Sequence, residues 1–468
     1  MKKEKIFWVS ILTISCLLLG CRGEAGAEKQ VTKLIWQSDQ NFGKREAYFN
    51  QVLKEKNLPY EVEFIGGDET LEGEAADLRD ISWDLTHTYD ATEEILKGDF
   101  IVLDKYLDSK EGKVIKNSLP ENVWEAYQVD GKQYAVLHMG FMPGKIVYIW
   151  DKELAEKYDV HPENWSENIW EYENELEKIS RGEKERDSFV VIEGLRIYSE
   201  YLKGMTKPLG ICYPLVVQET EENPKASLLY ETPEYKEYLT GVQKLYDAGI
   251  YNPQIEENTD LNVTSFLTID TDFWTEDAYL AWEKDDFWDT HEKKEIWREF
   301  LWRQSTCAFE TGITSLSKHP DEAFSFLCRL YEDADLTNAL MWGEENKDYE
   351  VIGKTAEKPV SGGYIPPLYA GNNLIAYAEV IQDENKAKVY PDLIRECEDS
   401  KLKGFEFSGK ECETGLQALF ETENEIREKS GAEILNETDL IIKKCKDAGV
   451  DHIIAEWNKQ YAAWRALQ

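Results

Sequence analysis

Apolar and polar residues alternate along Lys33-Leu-Ile-Trp-Gln37, which predicts a strand, and Ser38-Asp-Gln-Asn-Phe-Gly43 then reads as the loop leaving it. The spacing next changes to three and four, with Tyr48, Phe49, Val52 and Leu53 on one helical face. Alternation returns at Glu61-Val-Glu-Phe-Ile65 for a second strand, and Trp83-Asp-Leu-Thr-His-Thr88 predicts a third. A helix should follow, with Asp90 as cap, Glu93 three residues on and Gly98 at its end. Phe100-Ile-Val-Leu103 reads as a further strand, and Asp130-Gly131 as the turn of a hairpin. This β-α-β order with short connections implies parallel sheets covered by helices.

The pattern continues past residue 140. Lys145-Ile-Val-Tyr-Ile149 predicts a strand and Lys152–Tyr158 a helix. Thr232 can cap, and Pro233 start, a helix with Tyr235, Tyr238, Leu239, Val242, Leu245 and Tyr246 on one side and Gly249 at its end. Between Asn262 and Trp302 aromatic residues are dense. Strand-like alternation near Thr311 gives way to a helix from Pro320, with Asp321 and Glu322 at its positive end and His319 or Ser317 in the cap slot. Ala323, Phe324, Leu327, Leu330 and Tyr331 form its buried stripe. Helical patterns from Glu411 finish the chain, the last with Ile453, Ile454, Trp457, Tyr461 and Trp464 in register.

A chain of 468 residues exceeds what one hydrophobic core usually organises, so two lobes are expected. Acidic residues outnumber basic ones 92 to 53, a net charge of −39. That field opposes nucleic acid, anionic lipid and phosphorylated ligands and favours a neutral or cationic one. Lys2, Lys3 and Lys5 precede an apolar run from Ile6 to Leu19, which has signal-peptide length. The run ends in Leu18-Leu19-Gly20-Cys21, which resembles the lipobox of bacterial lipoproteins, with Cys21 as the lipidated residue and Arg22 to Gln30 as a tether. Beyond Cys16 and Cys21, six cysteines remain, at 212, 307, 328, 397, 412 and 445; no pair has CxxC or zinc-finger spacing. Disulfide pairing is left open, no metal is assigned and no cofactor is expected.

Several stretches, in order, resemble the family 1 extracellular solute-binding proteins, the sugar-capturing components of ABC importers. They are Leu103-Asp-Lys-Tyr-Leu107 with Glu111-Gly112, Leu119-Pro-Glu-Asn-Val-Trp124, Val129–Tyr134, Lys145–Tyr158 and the segment from Thr311 to Tyr331 continued by Asn338-Ala-Leu-Met-Trp-Gly343. The resemblance implies an α/β, two-lobed periplasmic-binding-protein-like fold of type II, each lobe a mostly parallel sheet flanked by helices and joined by crossover hinge strands. It implies residues 1–20 as signal peptide and 21–30 as lipidated Cys and tether. Residues 31–138 with 308–355 would form the N-lobe, and 139–307 with 356–468 the C-lobe, the final helices packing on either. It further implies a carbohydrate, an oligosaccharide, as ligand, ABC permease subunits as partners, membrane attachment only through the lipid anchor, and a monomer on the extracellular face of the bacterial cytoplasmic membrane.

In open parallel sheets ligands bind beyond the carboxyl ends of the strands, which selects Ser38, Asp39 and Gln40 after the first strand, and His87, Thr88 and Tyr89 at the third. A sugar needs flat aromatic faces for its C–H surface and Asp, Asn or Gln for its hydroxyls. Asp39 and Asn372 suit the hydroxyls, and Tyr89, Trp274, Tyr364 and Tyr369 suit stacking, Trp274 and Tyr369 being favoured by the resemblance. Tyr369-Ala-Gly-Asn372 departs from the family's Trp-x-x-Gly-Asn pattern by a Tyr that keeps a stacking face. Trp36 and Trp342 read as core.

Two other readings stay open on sequence. A surface glycoside hydrolase would use a pair of the many carboxylates, although the chain has no Gly-x-Ser-x-Gly elbow, His-Glu-x-x-His helix or phosphate loop, and no enzyme activity is expected. The same fold could instead hold a peptide or polyamine, which the negative field favours.

Overall fold

In the computed structural model, the residues described are 31–467 apart from 39–41, 67–82, 89–90, 139–142, 187, 196–201, 211, 253–263, 273–286, 306–308, 358–369, 379–384, 428 and 430. The expected signal peptide, Cys21 and tether, together with Asp90, lie outside them. Two separate sheets organise the chain.

The first sheet is built from β1 (Thr32–Ser38), β2 (Tyr60–Ile65), β3 (Leu85–Thr88), β4 (Ala135–His138) and β12 (Phe309–Ile313), ordered β2-β1-β3-β12-β4. β1 pairs in parallel with β2 and β3, whereas β12 runs antiparallel to β3 and β4. Strand alternation in β1 has its physical outcome in burial: Leu34 and Trp36 are fully enclosed and Lys33 faces water. The helix Glu46–Glu55 covers this sheet with Phe49, Val52 and Leu53, and the helix Pro320–Glu332 adds Phe324, Phe326 and Leu327 to the same core. Its cap position is His319, without a side-chain cap bond.

The second sheet contains β5 (Lys145–Asp151), β6 (Phe189–Glu193), β10 (Thr264–Asp272) and β11 (His291–Arg298), in the order β11-β5-β10-β6. In it β5 is antiparallel to both its neighbours and only β10 and β6 are parallel, so this sheet is not the mostly parallel one expected. β5 is buried on both faces, which explains its continuous apolar run: Ile146, Tyr148 and Trp150 enter the large second core, while Val147 and Ile149 are covered by Phe287 and Trp288. A small sheet of β7 (Met205–Thr206), β8 (Leu215–Gln218) and β9 (Ala226–Leu228) lies in the same lobe. Thr232 caps the helix Pro233–Asp247 by accepting from the Tyr235 N–H at 3.3 Å. The helices Glu413–Arg427, Gly431–Asp447 and Val450–Arg465 pack into this second core through Leu419, Ile441, Ile453 and Trp457.

Three local expectations change. Phe100–Leu103 is no strand: Phe100 makes an isolated bridge to Thr314, and Leu103 N–H donates to Gln133 O at 2.7 Å just before the helical turn Asp104–Leu107. The Phe100 ring lies over Gly312, where any Cβ would collide with it, so this segment caps the sheet instead of extending it. The helix after β3 covers Thr92–Lys97, with Ala91 in the cap position and no side-chain cap bond. The Ala91 N–H, one of the unpaired donors at this helix end, is met from across the sheet by Glu310 Oε1 at 3.2 Å. Residues 370–394, expected in the C-lobe, contribute Ala370, Leu374, Tyr390 and Ile394 to the first core. The chain changes core again only at about Ile394–Leu402, since Leu402 and Phe405 belong to the second. The Asp130-Gly131 turn forms as expected, both residues having positive φ (50° and 69°) inside the Val129/Lys132 bridge.

Candidate functional site

β1, β3 and β4 run in one direction, so Ser38, Thr88 and His138 end at a common edge, where antiparallel β12 begins with Phe309. In the second sheet, Asp272 at the end of β10, Lys145 at the start of β5 and Arg298 at the end of β11 are register partners in one row. Along the chain, His138 at one edge leads to Lys145 at the other, and Arg298 leads back to Phe309. A third segment passes back between the cores near residues 396–401.

Specific bonds hold the three crossings side by side. Gly144 N–H donates to Glu299 Oε2 at 2.9 Å, and Glu299 N–H returns a bond to Gly144 O at 2.8 Å. Leu301 N–H donates to Glu398 O at 2.7 Å and Ser400 N–H to Leu301 O at 3.0 Å. Buried Glu219 in the second lobe fastens the third crossing by accepting from Ser400 Oγ (2.6 Å), the Lys401 N–H (2.8 Å) and Thr206 Oγ1 (2.7 Å). Arg303, 4% exposed, sits between lobes: its guanidinium lies 3.1 Å from Glu310 on β12 and 2.8 Å from Glu406 after the third crossing. It also donates to Thr92 Oγ1 at 3.0 Å and Tyr127 O at 2.9 Å. Paired backbones with few residues between them are the elements that rotate in a hinge.

Burial holds the Glu299 carboxyl up at about 7, its bond from Gly144 N–H working in the other direction. The folded protein therefore retains a proton at Glu299 that the unfolded chain releases near 4.5, and Glu299 costs stability as pH rises through that window. Glu299→Gln, which mimics the protonated side chain, should be more stable than the parent at pH 8, with the difference closing by pH 5. Urea midpoints at the two pH values measure this, and an equal difference at both would count against it.

Of the residues expected to touch ligand, Ser38 is 1% exposed and lies in register with His87 across β1 and β3. Gly66, at φ 101°, packs against this strand end so closely that a Cβ would stand 2.2 Å from Ser38 O. His87 is fully buried, with Phe309 stacked on its ring at 5.5 Å and its Nδ1 at 2.9 Å from Thr311 Oγ1. Asn372, 9% exposed, donates to Tyr331 O (3.4 Å) and accepts from the Leu374 N–H (3.2 Å), which folds its own turn. Ser38, His87 and Asn372 are gathered at the first sheet's edge, the last through His138, whose Nδ1 lies 3.0 Å from Gly371 O. Asp39, Gln40, Tyr89, Trp274, Tyr364, Tyr369 and Cys21 lie outside the described residues. His138, Thr311, Glu299, Arg303 and Glu310 were not singled out on sequence. For His138 and Glu299, the usable signal was their place at the ends of strands that precede crossings.

Among the described residues, no group of His, Cys, Asp and Glu is arranged to hold a metal ion, and no helix is long and apolar enough to cross a membrane. Cys212, Cys328, Cys397, Cys412 and Cys445 are free thiols.

No family model matches the sequence. A carbohydrate ABC transporter substrate-binding protein of Streptococcus pneumoniae serotype 4 is 23% identical, the alignment covering 98% of each chain. Among solved structures, the N-glycan transport solute-binding protein NgtS of Streptococcus pneumoniae superposes with a TM-score of 0.68 at 20% identity over 93% of this chain and 99% of that one. Its complex with Man5GlcNAc gives 0.59 at 21% identity, covering 93% and 98%. An extracellular solute-binding protein from Bifidobacterium longum subsp. infantis gives 0.60 at 14% identity, covering 93% and 98%. The sheet order, the antiparallel strand returned from the second lobe and these superpositions together establish that the chain has the two-lobed α/β fold of solute-binding proteins.

Proposed function

We propose that this chain is the extracytoplasmic substrate-binding component of an ABC importer, a family 1 solute-binding protein anchored through a lipidated Cys21, which captures an oligosaccharide between its lobes and delivers it to permease subunits as a monomer. The observation that carries this reading is the junction itself: two sheet edges joined by three crossings that pair with one another at Glu299, Leu301 and Ser400. Such a junction lets ligand contacts on both edges favour a closed arrangement over an open one. The relatives support the ligand class, because NgtS is described with Man1GlcNAc and Man5GlcNAc and the 23%-identical protein is named for carbohydrate. The net charge of −39 agrees with a neutral ligand.

Isothermal titration of the mature chain with neutral glycans, beginning with Man5GlcNAc, tests the proposal. Micromolar binding, about −8 kcal/mol, is expected for one member of the panel. Silence across neutral glycans, together with binding of a cationic peptide or spermidine, would move the ligand to the cationic class.

A further inference from the structure

The edge of the first sheet contains a hydrogen-bond relay with only one consistent direction. Gly371 O is purely an acceptor, so His138 Nδ1, 3.0 Å away, carries the proton of a neutral ring. Nε2 is then an acceptor, and Thr311 Oγ1, 2.6 Å from it, donates. The same hydroxyl oxygen receives the His87 Nδ1–H at 2.9 Å. Both imidazoles are fully buried, with ring centroids 5.3 Å apart.

We infer that His87, Thr311 and His138 are positioning residues whose neutral relay clips the Gly371–Asn372 turn to the first sheet, and that acid releases the clip. Other bonds hold the turn beside the relay. Asn372 N–H donates to Leu330 O at 3.3 Å, its side chain reaches Tyr331 O, and Tyr377 N–H donates to Asn338 Oδ1 at 2.8 Å. Gly371 itself has φ 75°. In sequence the turn directly follows Tyr364 and Tyr369, so the consequence for ligand affinity rests on the proposed function.

The surroundings favour uncharged rings. Trp36 of β1, Phe42 and Phe309 of β12 face His87, and the residues 370–373 bring no titratable side chain. From the helix Pro320–Glu332, the Tyr331 hydroxyl stands 3.2 Å from His138 Nδ1 and is kept protonated by burial. Glu310, next to Thr311 on β12, is paired with Arg303. Burial lowers His87 well below 6.5, with the neighbouring His138 adding to the effect, and burial lowers His138 to about 4. A second proton on His138 would cost Nε2 the Thr311 donor and place a charge in a fully enclosed site, 5.3 Å from the His87 ring.

A histidine whose pKa is about 4 when docked and 6.5 when released binds more protons in the released form, so release is favoured as pH falls below 6.5. From pH 7.5 to 5.0, His138 alone would raise the open population about thirty-fold.

Amide hydrogen exchange on the mature chain reads this at Asn372, Leu374 and Tyr377, expressed as protection factors. The parent should show the thirty-fold rise, and His87→Gln with His138→Gln, which keeps amide donors and acceptors but no titrating ring, should lose most of it. Thr311→Val, should the double variant not fold, is expected to be more open already at pH 7.5 while keeping the acid slope. Unchanged protection in the parent, or an equal loss along the β1–β2 ladder, overturns the inference. Titration with Man5GlcNAc in parallel separates the two readings: a turn that loosens with constant affinity supports the clip and removes Asn372 from the ligand site.

Discussion

Arg303→Met should lower the stability of the folded chain by about 3–5 kcal/mol, the usual cost of leaving one partner of a buried ion pair alone. Glu310 is 1% exposed, and its Oε1 receives both Arg303 and the Ala91 N–H. Methionine removes the guanidinium but not the carboxylate, so a charge is stranded in the interior beside the first lobe's short helix. The bonds from Arg303 to Glu406, Thr92 and Tyr127 O are lost as well, while the direct Thr92 Oγ1 to Glu406 bond at 3.4 Å remains. Adding Glu310→Gln to Arg303→Met should recover part of the loss, because the uncompensated charge disappears while Ala91 N–H keeps an acceptor. Urea unfolding followed by far-ultraviolet circular dichroism measures both variants. A loss under about 1 kcal/mol in the single variant would show that water reaches the cluster and that the pair is worth no more than a surface one.

Trp457→Ala should cost about 3–5 kcal/mol and act on the second lobe alone. The indole is fully buried in the second core. It meets Phe405 edge-on at 5.2 Å and stacks with Tyr461 at 5.0 Å, and Phe405 lies just past the third crossing. Truncation thus opens a cavity where the last helix and the crossing converge. Hydrogen exchange should report faster opening in β8, β9 and the C-terminal helices while the β1–β2 ladder keeps its protection. Uniform loosening of both lobes would mean that the two cores unfold as one cooperative unit, against their separate packing.

The histidine relay and Glu299 bear on acid stability in opposite senses. The folded-state pKa values of the histidines are depressed, so their stabilising neutral form is lost as pH falls below 6.5, whereas Glu299 costs least at low pH. A parent profile that is flat between pH 5 and 7 is therefore compatible with both, and the single variants separate them.

Elements whose identity follows from local spacing were legible in the sequence. β1, β2 and β3, the Asp130-Gly131 turn, the Thr232 cap and the Pro320 helix all follow from period, turn chemistry or capping within a dozen residues. Phe100–Leu103 misled because its apolar run is spent covering Gly312 and the end of β12, a use that has the same composition as a strand. The helix start also shifted by one residue, to a cap position at Ala91, whose N–H is met by Glu310, more than two hundred positions away.

The candidate site divides the same way. Rules about strand ends pointed to Ser38 and His87, and both lie at the edge that the crossings leave. They could not show that His87 would be enclosed by Trp36, Phe42 and Phe309, nor that Thr311 would serve two imidazoles at once. The sequence by itself determined the β-α order, the two-lobe expectation from length, and the sign of the field, because each depends on neighbours along the chain or on a sum over it. Only the tertiary structure decided which carboxylate meets Arg303, where the chain crosses for the third time, and which rings lose their water. Those outcomes depend on groups far apart in sequence, and burial, which sets their charge states, is a property of the packed molecule.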